Sequence, residues 1–207
     1  MRQYQKPEFR LGYVEPCIPI RSTKIPAGPQ WLHELKHDGY RLIVRRNGER
    51  IRLFTRGGYD WTDRYPRVAG AVADLRVKSV TIDGEVVVCR PNGKPDFDKL
   101  HSRVFDRHAV MIAFDLLELD GENLATAPLE DRKRQLAKML RLSSDLHYNE
   151  HFDCDGDTLF KHACKLRLEG IVSKRRDYPY RPGPSKAWLK IKNPRSPAMI
   201  RMRDGTF

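Results

Sequence analysis

Residues 31–41 read Trp-Leu-His-Glu-Leu-Lys-His-Asp-Gly-Tyr-Arg, and the fold is best predicted outward from them. A short apolar segment here runs into a turn and then into the β-type run Leu42-Ile43-Val44. Lys36 stands at the turn between the carboxylates Glu34 and Asp38, an environment that suits an amine held still as a nucleophile. Asp-Gly between apolar runs is also a strong hairpin signal. Taken alone, the stretch leaves a nucleophile and an ordinary hairpin lysine as even alternatives.

Outward from this stretch, the hydrophobic patterning predicts an α+β fold. Hairpins interleaved with helices favour largely antiparallel sheets over a doubly wound parallel fold. Residues 1–30 are rich in proline and predict an extended, irregular lead-in, and residues 176–186 predict a basic loop. Strands are predicted as three short runs over 31–56, two runs around Asp83-Gly84 over 79–89, and single runs over 109–119, 146–152, 169–175 and 187–192. Helices are predicted over 65–75, 96–105, 128–142 and 157–168.

Composition narrows the class of protein. The chain has 207 residues, 39 Lys and Arg against 27 Asp and Glu, and a formal net charge of +12. This charge predicts a polyanionic partner, most often nucleic acid, with a merely solvated basic surface as the alternative. No apolar run of about eighteen residues exists, so no membrane partner is expected. The four cysteines lack zinc-type spacing and predict free thiols in an intracellular protein.

Six polar clusters stand out against this predicted scaffold. They are Lys36-x-Asp38-Gly39-x-Arg41, Thr55-Arg56-Gly57-Gly58, Asp83-Gly84-Glu85, Phe114-Asp115-Leu116-Leu117, Glu169-Gly170-Ile171-Val172-Ser173-Lys174 and Trp188-x-Lys190-x-Lys192. Each cluster is weak alone, but their order is specific. The set resembles the nucleotidyltransferase motifs of ATP-dependent DNA ligases, and is most similar to the ligase domain of bacterial end-joining ligases. The resemblance covers roughly residues 10–193.

The resemblance implies a fold and a chemistry. The fold is the nucleotidyltransferase, ATP-grasp-like adenylation fold of ligases, with two antiparallel sheets flanked by helices and a nucleotide pocket between them. The reaction joins a lysine amine to AMP, releases pyrophosphate, moves AMP to a DNA 5′-phosphate and seals the nick. ATP and Mg²⁺ (or Mn²⁺) are the implied cofactors, and nicked or broken double-stranded DNA is the implied partner. A bacterial-type cytoplasmic, nucleoid-associated protein is expected.

Site residues follow from the motif matches. Lys36 is the implied nucleophile, Glu34 holds the adenine edge, Arg41 contacts sugar or phosphate, and Phe114 stacks on the base. The implied phosphate contacts are Lys174, Lys190 and Lys192. Glu85 is implied to contact the ribose or a metal ion, and Glu169 is implied to contact a metal ion. Arg56 is implied to contact the DNA 5′-phosphate. Alternatives stay open at several positions. The alternative for Glu85 is an ordinary carboxylate in a turn, and the alternative for Phe114 is a core residue of an apolar strand. The alternative for Lys190 and Lys192 is a pair of lysines that prevents an edge strand from pairing with another chain.

A lysine nucleophile must lose a proton before it attacks. Strand alternation puts Lys190 and Lys192 on one face. We therefore expect their like charge to lower the pKa of Lys36 while both bind the α-phosphate.

The resemblance also predicts the domain organisation. Residues 1–193 form a ligase-type adenylation domain and 194–207 a short tail, so the OB-fold domain that follows in the family is expected to be absent. Three alternatives stay open: a minimal, slow ligase, an enzyme whose DNA clamp comes from a protein partner, and a nick- or end-binding module that keeps an ATP pocket without efficient turnover. RNA ligases and capping guanylyltransferases share the lysine chemistry but are less favoured by the motif context.

Overall fold

The computed structural model describes residues 12–205, which form eleven β-strands and five α-helices. The strands are β1 (Cys17–Arg21), β2 (Trp31–Lys36), β3 (Tyr40–Asn47), β4 (Arg50–Thr55), β5 (Ser79–Val87), β6 (Val110–Leu119), β7 (Glu122–Asn123), β8 (Leu146–Tyr148), β9 (His151–Phe152), β10 (Gly170–Arg175) and β11 (Gly183–Lys192). The helices are α1 (Pro66–Ala73), α2 (Phe97–His101), α3 (Leu129–Leu140), α4 (Gly156–Lys165) and α5 (Pro197–Asp204). No helix in the described range is long and apolar enough to cross a membrane.

The strands assemble into two sheets. Sheet 1 has the order β1-β11-β10-β2-β9, and sheet 2 has the order β4-β3-β5-β6-β7 with β8 beside β6. Strand pairs are antiparallel except β1 with β11 and β6 with β8, which are parallel. The predicted α+β class with two largely antiparallel sheets is therefore confirmed.

Sheet 2 carries the larger core. Val68 and Val72 of α1 and Leu136 of α3 are fully buried, with the apolar side chains of β3, β5 and β6 in the same cluster. A tight hairpin joins β3 to β4, and its Gly48 has a φ of +60°, which glycine adopts without strain. The α3 pattern predicted this packing because one apolar stripe at helical spacing must face a core.

Sheet 1 presents two different faces. Leu35, Ile171 and Ile191 project from one face into a cluster with Leu159 and Ala163 of α4. Because side chains alternate along a strand, the intervening residues of β2, β10 and β11 project from the other face. That second face lines a cavity of about 460 Å³, which sheet 2 closes from the opposite side.

The predicted turn at Asp83-Gly84 is wrong. Residues 79–87 form one continuous strand, β5, with register irregularities next to these two residues. Gly84 lies opposite Ala113, and a Cβ there would approach Met111 Cε to 2.5 Å and Ile112 O to 2.6 Å. The glycine is thus required for close packing against β6, not for chain reversal.

The irregular lead-in and the basic loop are also corrected. Residues 17–21 form β1, and the last strand begins at Gly183 rather than at residue 187. The two corrections have one cause, because Cys17 pairs with Gly183 in a parallel ladder between segments far apart in sequence. Residues 1–11 of the predicted lead-in lie outside the described residues.

Three further boundaries differ from prediction. Residues 146–152 split into β8 in sheet 2 and β9 in sheet 1. Helix α2 ends at His101, and Arg103 has a φ of +63°, which a continuous α-helix does not allow. The predicted tail contains α5, whose N-cap Ser196 accepts a hydrogen bond from the Met199 amide. Residues 206 and 207 of that tail are not described.

Candidate active site

Three neighbouring strands of sheet 1 bring the predicted lysines and glutamate onto one face. Lys36 on β2 lies opposite Gly170 on β10, which lies opposite Lys192 on β11. The next row of this face contains Glu34 and Lys190, which flank β10 in the same way. Residues directly opposite, or two apart on a strand, point to the same side. The strand pairing therefore assembles residues from widely separated motifs.

The cavity between the sheets collects most of the predicted site. Eight of the ten residues line it, namely Glu34, Lys36, Arg41, Arg56, Glu85, Phe114, Lys174 and Lys190. The other two, Glu169 and Lys192, contact one another beside Lys36: Lys192 Nζ lies 3.2 Å from Glu169 Oε1.

Lys36 is held by carboxylates. Its Nζ donates to Glu169 Oε2 at 2.7 Å. Burial alone would lower the pKa of Lys36, but the negative charges of Glu85 and Glu169 outweigh it and raise that pKa above its ordinary value. The predicted lowering of the Lys36 pKa by Lys190 and Lys192 is therefore wrong for this arrangement, in which the amine is an ammonium group.

The lysine whose pKa is lowered by neighbouring cations is Lys190. Burial lowers the pKa of Lys190, and the like charges of Lys36, Lys192 and Arg56 lower it further. Arg56 is exposed at the rim of the cavity, just after β4, where its carbonyl accepts a hydrogen bond from the Tyr13 hydroxyl at 2.6 Å. This end of the cavity is consequently a site for an anionic group such as phosphate.

Glu85 and Glu169 fit a divalent cation shared with phosphate. The Gly39 amide donates to Glu85 Oε1 at 3.1 Å. Burial raises the pKa of Glu85 and the charge of Glu169 adds to this, outweighing the effect of Lys36. Within residues 12–205, no cluster of three or more His, Cys, Asp or Glu could hold a metal alone. Mg²⁺ commonly takes only one or two carboxylates together with phosphate oxygens, so a metal ion held by these two residues would also need oxygens of a bound phosphate.

The opposite end of the cavity is aromatic. Lys174 lies four residues from Gly170 along β10, about 13 Å for an extended strand. Its Nζ lies 4.4 Å from the centroid of Phe114, 4.0 Å from that of Trp188, and 2.7 Å from Glu34 Oε2. These contacts hold the cation at the aromatic end, so the phosphate contact implied for Lys174 finds no support in this position.

Glu34 is a buried carboxylate with cations on both oxygens. Lys133 Nζ donates to Oε1 at 2.7 Å, and Asn149 Nδ2 donates to Oε2 at 3.1 Å beside Lys174. Burial alone would raise the pKa of Glu34, but Lys133 and Lys174 outweigh it and lower that pKa. The side chain is therefore an ionised acceptor within the cavity wall.

Sequence reasoning missed Lys133 and Asn149. The run Arg132-Lys133-Arg134 contributes to the net charge that predicts a polyanionic partner, yet Arg132 and Lys133 are fully buried. A signal existed, because these two residues lie three and four positions after Leu129 and before Leu136, on the apolar face of α3. Asn149 had no comparable signal, since its position between β8 and β9 depends on tertiary pairing.

Arg41 and Phe114 line the cavity from sheet 2. Arg41 forms a bidentate ion pair with Asp83, from Nε to Oδ1 at 2.9 Å and from Nη2 to Oδ2 at 2.5 Å. The Tyr180 hydroxyl donates to the same carboxylate at 2.6 Å. Phe114 is half-buried and meets Trp188 edge-on at 6.0 Å, so it belongs to the cavity wall rather than to a closed core.

Comparison with known proteins identifies relatives with the same fold. The family described as ATP dependent DNA ligase domain matches residues 18–192. The multifunctional non-homologous end joining protein LigD of Pseudomonas aeruginosa is 37% identical over 172 residues, which cover 81% of this chain and 20% of that protein. The ligase domain of Mycobacterium tuberculosis LigD superposes with a TM-score of 0.75 at 36% identity, over 86% of this chain and 60% of that chain.

A second solved structure, of mycobacterial DNA ligase D complexed with ATP and MES, has a TM-score of 0.73 at 34% identity. It covers 86% of this chain and 60% of that one. The chain spans only 20 to 22% of the length of the first LigD proteins that it matches.

Proposed function

Because the chain belongs to the family of ATP-dependent DNA ligase domains, we propose that it forms lysyl-AMP on Lys36 and passes the AMP to a DNA 5′-phosphate for nick sealing in repair. One observation carries the proposal. Lys36 shares a single cavity with Glu85 and Lys190 and with an aromatic wall that includes Phe114 and Trp188. This arrangement suits a nucleotide lying with its α-phosphate at Lys36 and its base against Phe114.

The first step is an in-line displacement at phosphorus. Lys36 Nζ attacks the α-phosphorus of ATP, a P–N bond forms, and the P–O bond to the β-phosphate breaks. Nζ attacks as the neutral amine, pyrophosphate leaves with the electron pair of the broken P–O bond, and the proton released from Nζ passes to water. Lys190 and Lys192 stabilise the charge on the phosphoryl oxygens, which is the main contribution that a protein makes to this reaction class.

The protonated form of Lys36 is favoured by its hydrogen bond to Glu169 and by the negative charge of Glu85. A bound Mg²⁺ would supply positive charge at these carboxylates and at the phosphate oxygens. Such a charge would offset the two carboxylates, which raise the pKa of Lys36, and would leave the repulsion of Lys190 and Lys192 to favour the neutral amine.

The second step uses the rim of the cavity. A DNA 5′-phosphate oxygen attacks the AMP phosphorus and the P–N bond to Lys36 breaks. The adjacent 3′-hydroxyl then attacks the activated 5′-phosphate and AMP leaves. Arg56 contacts the 5′-phosphate in this proposal, and its exposure at the rim beside Lys190 supports that role.

Self-labelling tests the covalent step. Protein is first treated with pyrophosphate to remove any bound AMP, then incubated with α-labelled ATP and either Mg²⁺ or Mn²⁺, and separated under denaturing conditions. Wild type is expected to retain the label, whereas Lys36→Ala retains none. A wild-type protein that binds ATP but never labels, with either metal, would contradict the proposal.

A binding experiment separates sealing from simple DNA association. Nicked duplex is expected to bind more tightly than intact duplex of the same sequence. Equal affinities, combined with absent labelling, would favour a DNA-binding module that retains an ATP pocket. Labelling by α-labelled GTP in preference to ATP would favour the capping-type alternative.

A further inference from the structure

A buried lysine from outside the predicted motifs reaches the base end of the cavity. Lys133 Nζ donates to Glu34 Oε1 at 2.7 Å and to the Asn149 carbonyl at 3.0 Å, and lies 4.5 Å from the centroid of Tyr148. Its side chain is fully buried, so water cannot replace it as a donor to Glu34. It extends from α3, which packs on sheet 2, to a strand of sheet 1.

We propose that Lys133 is a positioning residue for base selection, which fixes the Glu34 carboxylate as an acceptor facing the nucleotide base. The cavity then selects a purine with an amino group at C6, as in adenine, over one with a carbonyl at C6. The inference rests on the proposed function, because it takes the nucleotide to lie in this cavity.

The donors around Glu34 keep its carboxylate a hydrogen-bond acceptor toward the base. Lys133 engages Oε1, while Lys174 and Asn149 engage Oε2. The Asn149 amide is oriented by two acceptors, because its Nδ2 donates to Glu34 Oε2 at 3.1 Å and to the Leu35 carbonyl at 3.4 Å, and a reversed amide would place Oδ1 against both. An ionised carboxylate only accepts hydrogen bonds. A base amino group satisfies it, whereas a base carbonyl would place two acceptors together.

Lys133 is the donor that serves Oε1. Without it, Glu34 keeps both contacts on Oε2 but loses its fixed orientation, and protonation of the carboxyl becomes easier. A protonated or rotated carboxyl can donate to a base carbonyl. Discrimination between the two kinds of purine should then weaken, while binding of the phosphates at the Lys36 end is preserved.

The experiment measures equilibrium binding in a Lys36→Ala background, where covalent transfer cannot occur. ATP is compared with ITP, whose base has a carbonyl at C6 and no 2-amino group. The parent is expected to prefer ATP by at least about tenfold, and Lys133→Met is expected to reduce the preference on the order of tenfold. Lys133→Arg keeps a cation and should retain part of the preference.

Arg132 offers a matched control on the same helix. It is also fully buried and forms a bidentate pair with Asp115, at 2.7 Å from Nε and 2.8 Å from Nη2. Asp115 and Arg132 do not line the cavity. Arg132→Met should therefore destabilise the fold to a similar degree and leave the ratio of ATP to ITP affinity unchanged.

Every result of this binding experiment either supports or overturns positioning of Glu34 by Lys133. A reduced ratio in Lys133→Met but not in Arg132→Met supports positioning by Lys133. Equal weakening of ATP and ITP, equal effects of both variants, or a parent without preference overturns it. If Lys133→Met fails to fold, Lys133→Gln keeps one donor and should give an intermediate ratio, so a parent-like ratio overturns the inference.

Labelling distinguishes this inference from the function on which it rests. A wild-type protein that binds ATP selectively but never labels refutes the covalent chemistry and leaves base selection standing. A protein that labels but whose preference ignores Lys133 refutes the inference alone.

Discussion

At the scale of single residues, Phe114 shows how a side chain within an apolar strand becomes part of a site. Residues 110–119 are apolar almost throughout, which favours core packing, yet burial alternates along the first part of β6 and leaves Phe114 half-buried. Its ring contacts Lys174 and Trp188 in the cavity wall. Arg41 lies 5.2 Å from the centroid of the same ring, so two cations lie over this part of the cavity wall.

Phe114→Leu is expected to weaken ATP binding without slowing chemistry. An aromatic ring stacked on a base contributes about 1–3 kcal/mol, so the KM for ATP in self-labelling should rise roughly tenfold while the limiting rate changes less than about twofold. Phe160→Leu is the control, because Phe160 packs in the cluster on the other face of sheet 1. A similar rise in KM for both variants would assign Phe114 to general packing.

At the scale of elements, α5 is tied to the turn that follows the nucleophile. Arg201 forms an ion pair with Asp38, lies 3.6 Å from Asp98, and stacks over the Phe97 ring at 4.5 Å. Only 13% of its side chain is exposed. The helix therefore holds the residues between β2 and β3 through Asp38, which does not line the large cavity.

Arg201→Met should loosen that turn. Breaking a largely buried pair leaves Asp38 without its cation, so the free energy of unfolding should fall by about 1–3 kcal/mol. Hydrogen exchange should accelerate at residues 37–39 and 197–204. Arg203→Met is the control, because Arg203 is 74% exposed and pairs with its neighbour Asp204, so a change within about 0.5 kcal/mol is expected. Unchanged exchange at 37–39 in Arg201→Met would show that α5 does not hold the turn.

Gly170 allows the central strand of sheet 1 to pass between Lys36 and Lys192. Its φ is +141°, and a Cβ there would lie 2.0 Å from the Ile191 carbonyl oxygen. Gly170→Ala should therefore destabilise the fold by about 3 kcal/mol or more, through strain and strand displacement. Gly48→Ala is a milder case, because its φ is +60° and its Cβ would meet open space, so about 1 kcal/mol is expected. Equal losses in urea unfolding would contradict the packing argument.

The elements that sequence patterns predicted are those set by local periodicity. The strands over 31–56 and the helices α1, α3 and α4 follow from spacing within a dozen residues. The β1–β11 pairing and the split of 146–152 depend on partners distant in sequence, so no local pattern reveals them. The turn predicted at Asp83-Gly84 is wrong for a related reason. The same dipeptide occurs in turns and where two strands pack closely, and the local sequence does not distinguish the two. The motif resemblance predicted which residues share the cavity, but not the ion pairs that set the charge state of Lys36.

At the scale of the whole molecule, the 39 Lys and Arg residues overstate the number of cations that DNA could contact. Arg132 and Lys133 are buried in ion pairs, and Arg41 is engaged by Asp83. Arg46 donates to the carbonyls of residues 72, 73 and 75 at the end of α1. Part of the predicted nucleic-acid face thus stabilises the interior. The cations most suited to a phosphate backbone are those at the cavity rim, above all Arg56.

DNA binding should accordingly depend on few, identifiable cations. Each phosphate contact contributes about −0.9 to the slope of log affinity against log salt concentration. Arg56→Ala should reduce the steepness of that slope for nicked duplex by about one, measured by fluorescence anisotropy between about 50 and 300 mM salt. Arg134→Ala is the control, because Arg134 is 74% exposed on α3 and pairs with Asp131, so it removes the same formal charge without a rim contact. If both variants flatten the slope equally, net charge governs binding. If only Arg56→Ala does so, the rim contacts the DNA backbone beside the nucleotide cavity, as nick sealing from Lys36 requires.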